Sequence, residues 1–63
     1  MNLKDFKPKP VQGLYSYDHF EGPDGAFIQS HHSGDHWVFQ APDGSRKTFY
    51  QMGPLKAHVE AIQ

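Results

Sequence analysis

Through the middle of the chain, apolar and aromatic residues alternate with polar ones at period two, the pattern of strands that turn one face toward a core. In "HWVFQA" (36–41), Trp37, Phe39 and Ala41 fall on one side and His36, Val38 and Gln40 on the other. "AFIQSH" (26–31) sets Phe27 against Ala26 and Ile28, and "KTFYQM" (47–52) sets Phe49 against Tyr50 and Met52. "LYSYDHF" (14–20) alternates Leu14, Ser16, Asp18 and Phe20 with Tyr15, Tyr17 and His19, and neither set is wholly apolar.

Turn formers stand between these runs. "FEGPDG" at 20–25 returns as "FQAPDG" at 39–44. In each, proline pre-sets the first turn φ, aspartate bonds back to the backbone, and glycine accepts positive φ. "HSGD" does similar work between the two middle runs, with Gly34 as the permissive residue. Three tight joints make four strands, each beside its chain neighbour. Beyond the quoted positions the two segments do not align, so the repeat reports two hairpin closures and not a duplicated domain.

The last stretch, "GPLKAHVEAIQ" (53–63), switches to period 3.6. Leu55, His58, Val59 and Ile62 form one stripe, with Lys56 and Glu60 on the outer side. Gly53 is expected as the cap and Pro54 as the first helical residue, where its missing N–H costs nothing. A helix this short falls below the roughly 12–15 residues needed to persist alone, so it must lie on the sheet. At the other end, "KPKPVQG" alternates proline and lysine, and each proline pushes its predecessor out of helical geometry. Leu3, Phe6 and Val11 are its candidate anchors. The predicted architecture is α+β: an extended basic N-terminal arm over 1–13, then one β-β-β-β-α domain over 14–63. Its four-stranded antiparallel meander carries one short C-terminal helix on one face. The other face has no cover unless the arm crosses it.

Composition narrows what such a domain does. The chain has 63 residues and no cysteine, which removes disulfides and thiolate metal sites. Nine aromatic rings, 14% of the chain, supply the burial instead. Net charge is −1, with no global pull toward nucleic acid. Lys4, Lys7 and Lys9 outweigh Asp5 in the arm, whereas Asp18, Glu21, Asp24, Asp35, Asp43 and Glu60 outweigh Arg46, Lys47 and Lys56 in the body. No apolar run is long enough to span a membrane, and "MNLKDFKPKP" lacks a signal-peptide core, so a cytoplasmic protein is expected.

Three constellations carry candidate chemistry. In "HHSGDHW", His31 and His36 flank a four-residue loop and face each other, with Asp35 or His32 as a third ligand for zinc. The plainer reading is a polar loop that tolerates histidine, and on it no metal and no cofactor is expected. Catalysis needs a concave, water-excluding pocket, for which a single-layer sheet has little room, so the chain is not expected to be an enzyme. For a protein partner the candidate residues are Tyr15, Tyr17, Trp37 and Tyr50, aromatic anchors on an uncovered sheet, with Asp35 and Asp43 steering toward basic groups. Trp37, Phe39 and Phe27 are at the same time candidates for the core.

For nucleic acid the candidates are Lys7, Lys9, Arg46, Lys47 and Lys56. The segment 36–63, a hairpin ending "DGSRKTFY" followed by a short helix, is similar to the arm-site DNA-binding domains of tyrosine integrases. That resemblance implies a sheet docked in a major groove. It covers under half the chain, and the acidic body departs from the basic balance that counterion release requires. The expected function is therefore a small non-catalytic binding module that occupies a surface on a protein partner. Small inhibitors and accessory proteins of phages and mobile elements, anti-defence proteins among them, share this size. The alternative is a nucleic-acid-binding domain, and homodimerisation is compatible with both.

Overall fold

A computed structural model describes residues 1–62; Gln63, the end of the predicted helical stretch, lies outside the described residues. Five antiparallel strands run in chain order: β1 (Lys7–Pro8), β2 (Tyr17–Glu21), β3 (Phe27–His31), β4 (Trp37–Gln40) and β5 (Arg46–Phe49). A helix, α1 (Met52–Ala61), follows. The meander and its C-terminal helix are as the pattern predicts. Among the described residues the strand count is five and not four, because the arm contributes an edge.

That extra strand comes from backbone pairing without side-chain periodicity. Lys7 pairs with Glu21 and Pro8 with Phe20, and the Lys9 amide donates to the His19 carbonyl at 2.8 Å. Proline is tolerated there because an edge strand has one side on which no N–H is needed. Just before it, Asn2 caps a 3-10 turn over Leu3–Asp5 through a reciprocal box with Asp5. The turn aims Phe6 into the core, where its ring meets Phe39 edge-on at 6.2 Å. Of the three predicted anchors, Phe6 is buried, Leu3 packs against the core and Val11 is exposed.

Register assigns every strand residue to a face. Phe20, Ile28, Trp37, Phe39 and Phe49 share one face, since Phe20 opposes Ile28, Ile28 opposes Phe39, and Trp37 opposes Phe49. Leu55 and Val59 of α1 are fully buried among them, while His58 and Ile62 flank the stripe half-buried. Burying a Leu or Val side chain is worth about 1.5–3 kcal/mol, and this contact holds a ten-residue helix that has no side-chain cap at its N-terminus. The helix begins at Met52, so Gly53 and Pro54 lie inside its first turn. No donor is lost there, because the first four N–H groups have no intrahelical partner. Met1 and Leu3 pack onto the same cluster, and the N-terminal ammonium donates to the Ile62 carbonyl. The arm thus completes the helix-side layer and the edge of β2, leaving the opposite face of the sheet to solvent.

Both Pro-Asp-Gly joints close hairpins, through the same outer bond: Gly22 N–H to Ala26 carbonyl and Ala41 N–H to Ser45 carbonyl, each 2.8 Å. Their interiors differ. The first coils into a 3-10 turn over Pro23–Gly25 with Asp24 at φ 57°. The second places only Gly44 at positive φ. At 14–20, the strand starts at Tyr17, because Leu14 belongs to a turn closed by its amide on the Val11 carbonyl.

The second joint gives a pH prediction. The Asp43 carboxylate accepts from the Ser45 N–H at 2.9 Å and the Ser45 hydroxyl at 2.7 Å, which holds its carboxyl below the ordinary value of 3.8. A carboxylate depressed in the folded state contributes stability that is complete above the unfolded value and fades as pH falls through the folded one. Asp43→Asn retains an accepting oxygen but not the charge. Its thermal midpoint is expected to change less than that of the wild type between pH 5 and pH 2; parallel melting curves over that range would contradict this.

Candidate functional site

The open face is built from the residues that alternate away from the core. β2 contributes Tyr17, His19 and Glu21; β3 contributes Phe27, Gln29 and His31; β4 contributes Val38 and Gln40; β5 contributes Arg46 and Thr48. Two clusters divide it. Near the β1 edge, His19 lies tilted on Phe27 at 5.0 Å and shares a hydrogen bond with the Gln29 amide. The Arg46 guanidinium sits 5.4 Å from the centre of the Phe27 ring and donates from Nε to Gln40 Oε1 at 2.7 Å. A guanidinium over a ring face is attracted by the ring quadrupole.

The second cluster surrounds the β3–β4 loop. His31 and His36 stack at 4.7 Å with their planes 23° apart, and the Tyr17 ring stands edge-on to His31 at 4.8 Å. Cross-strand register explains it: Tyr17 opposes His31, and the His31 N–H bonds the His36 carbonyl. His36 Nδ1 lies 2.5 Å from Asp35 Oδ1, and its Nε2 lies 2.8 Å from the Tyr17 hydroxyl. A carboxylate only accepts, so Nδ1 carries the hydrogen and, in the neutral ring, Nε2 accepts from Tyr17. The Ser33 N–H points at His31 Nδ1 from 3.1 Å, which makes that nitrogen an acceptor. Hydrogen bonds from His36 and Ser33 hold the Asp35 carboxyl below its ordinary value. Asp35 is exposed, at the end of the sheet away from Asp43.

The residues singled out from sequence distribute unevenly over this surface. Tyr17 and Tyr50 reach the second cluster, with Tyr50 74% exposed and 6.3 Å from the His36 ring. Tyr15 is 83% exposed, in the segment ahead of β2. Trp37 lies on the helix side, half-buried beside Leu3, Phe6, Phe20, Ile28, Met52 and Leu55, in an apolar cleft of about 300 Å³. Phe39 is core, whereas Phe27 is half-exposed on the open face. Its position agrees with its alternation with Ala26 and Ile28, both buried, and is fixed by its cross-strand register opposite Glu21 and Gln40.

The basic residues do not converge. Arg46 lies on the open face and Lys47 on the helix side, its ammonium 5.3 Å from the Phe49 ring centre. Lys9 pairs with Glu21 at 3.2 Å beside β1, Lys7 is exposed on β1, and Lys56 is exposed on α1. His32, the other loop histidine, turns to Asp18 at 3.4 Å and stays outside the stacked pair. No helix among the described residues is long and apolar enough to cross a membrane. Comparison with known protein families, with curated proteins and with solved structures finds no match to this chain.

Proposed function

We propose that this chain is a non-catalytic binding module, of the inhibitor or accessory type, acting in the cytoplasm by laying the open face of its sheet on a protein partner. The observation that carries the reading is the pair of ring clusters on that face, Phe27 with His19 and the His36 ring with Tyr17 and Tyr50 on it, on the side of the sheet away from the helix. Tyrosine is a frequent hot-spot anchor, and such residues sit at the centre of interfaces inside a polar rim. Here the polar residues Gln29, Gln40, Arg46 and Thr48 lie between and beside the two ring clusters. A standard interface takes roughly 800 Å² from each partner. Against a total accessible surface of 4275 Å², this face would commit about a fifth of the molecule.

Nucleic acid is the second reading, favoured by one observation: Arg46 stacked beside an aromatic ring on a sheet surface. The scatter of the other cations over both faces and the helix weighs against it.

The two readings part in one experiment. Immobilised protein is incubated with lysate, with and without nuclease treatment, and the wild type is compared with Tyr17→Ala/Tyr50→Ala and Arg46→Glu. Retention of a defined protein by the wild type, weakened about 30-fold or more in the tyrosine variant, is the expected result. Equal retention by wild type and the tyrosine variant rejects the surface. Retention that disappears on nuclease treatment, falls steeply with salt and fails in Arg46→Glu selects the nucleic-acid reading instead.

A further inference from the structure

We propose that the β3–β4 hairpin is a site for a divalent transition metal of the zinc class, with His31, Asp35 and His36 as its protein ligands. This goes beyond the docking surface and does not depend on it. Each of the three residues offers one ligand atom, and these atoms lie within 4.8 Å of one another. Zinc held at about 2.0–2.2 Å by imidazole and carboxylate sets its ligand atoms roughly 3.3 Å apart. The rings stack across the hairpin at 4.7 Å with their planes 23° apart, so their in-plane nitrogen lone pairs run side by side and one ring turns about its side-chain torsions to converge on an ion. One backbone bond, His31 N–H to His36 carbonyl, fixes the separation of the strands. Asp35 stands in the exposed loop that closes the hairpin, where Gly34 takes positive φ. The adjustment, about 1.5 Å of contraction at the widest separation and about 0.8 Å of opening between Asp35 and His36, falls on that loop and on side-chain torsions, not on the sheet.

The proton balance is favourable too. His36 Nδ1 and Asp35 Oδ1 already face each other at 2.5 Å across a single hydrogen. An ion entering between them takes that hydrogen's place. The neutral imidazole then carries its proton on Nε2 and donates it to the Tyr17 oxygen, which a hydroxyl accepts as readily as it donates. His31 ligates through Nδ1, exchanging the Ser33 N–H for the ion and keeping its hydrogen on Nε2, so no net proton leaves the site. Tyr17 thereby serves as the outer partner that fixes the tautomer of a ligating histidine, an arrangement common to metal sites. Imidazole with carboxylate suits zinc, and no thiolate is present to select softer ions. Three protein ligands leave the fourth position to water.

The test uses untagged full-length chain, stripped with chelator and titrated with zinc chloride while the ring protons of all five histidines are followed by NMR. Saturation at one equivalent, with shifts confined to His31 and His36 and absent from His19, His32 and His58, is the expected result. His31→Ala abolishes saturable binding, Tyr17→Phe weakens it roughly 10–100-fold, and His32→Ala leaves it unchanged. Asp35→Asn, in an exposed loop residue away from the core, decides the matter if His31→Ala fails to fold, and weakens binding at least tenfold. Absence of saturation, shifts spread over all five rings, or undiminished affinity in Asp35→Asn overturns the proposal.

Discussion

Phe39→Ala is expected to remove about 3–5 kcal/mol, most of the chain's stability at 25 °C. Phe39 lies on β4, in the middle of the sheet's helix side, and is 1% exposed. It touches the arm through Phe6, the helix through His58 at 5.5 Å, and β3 through its opposite residue Ile28. Removing a buried phenylalanine costs about 3–5 kcal/mol, part transfer and part unfilled cavity. A domain of this length has a total stability of about 3–9 kcal/mol at roughly 0.05–0.15 kcal/mol per residue. One substitution therefore removes most of the margin. Because Phe39 joins three elements, loss of its ring lets the arm and helix separate together, and urea melts followed by tryptophan fluorescence and by far-UV dichroism are expected to coincide. A shift of less than about 1 kcal/mol would show that the ring is not the keystone that its contacts indicate. Phe39→Leu, which retains most of the apolar volume, is expected to fold.

The elements that speak through side-chain pattern were legible in the sequence. Trp37, Phe39 and Ala41 alternate because a core lies on one side only, and Pro-Asp-Gly turns announce themselves by the φ values they demand. The helical stripe was equally plain, although its start was not: Met52 joins the helix because Gly53 and Pro54 are both tolerated in a first turn whose amides have no intrahelical partner. What stayed hidden is carried by the backbone. A two-residue edge strand shows no alternation, and Lys7–Pro8 pairs through main-chain groups that any sequence possesses. The aromatic surface was half legible. Alternation placed Phe27 opposite two buried residues, yet ring size argued for core, and only the cross-strand register decides. The same holds for the histidine pair. Its facing arrangement follows from the loop length, but the arrival of Tyr17 beside it depends on β2 pairing in one register with β3.

The arm's attachment rests on a single fit that is expected to fail from either side. Gly22, between β2 and the first Pro-Asp-Gly turn, lies under the Phe6 ring; a Cβ added there would meet ring carbons at 2.6–2.8 Å, all of them from Phe6. No real structure accommodates such an approach, and the ring is wedged in the core, so Gly22→Ala forces Phe6 out. The expected loss is about 1–3 kcal/mol for overpacking. Phe6→Ala removes the same contact by truncation, at about 3–5 kcal/mol, and releases the Leu3–Asp5 turn and the β1 edge with it. Because the methyl group at position 22 clashes with nothing but that ring, the second substitution adds nothing once the first is made. The double variant Phe6→Ala/Gly22→Ala is expected to match Phe6→Ala alone within about 0.5 kcal/mol, a non-additivity of 1–3 kcal/mol. Hydrogen exchange supplies the structural readout: the Lys9 amide, bonded to the His19 carbonyl, loses protection in both single variants while the amides of β3 and β4 keep theirs. Additive losses in the double variant would mean that the arm is held by something other than the seating of Phe6 on Gly22.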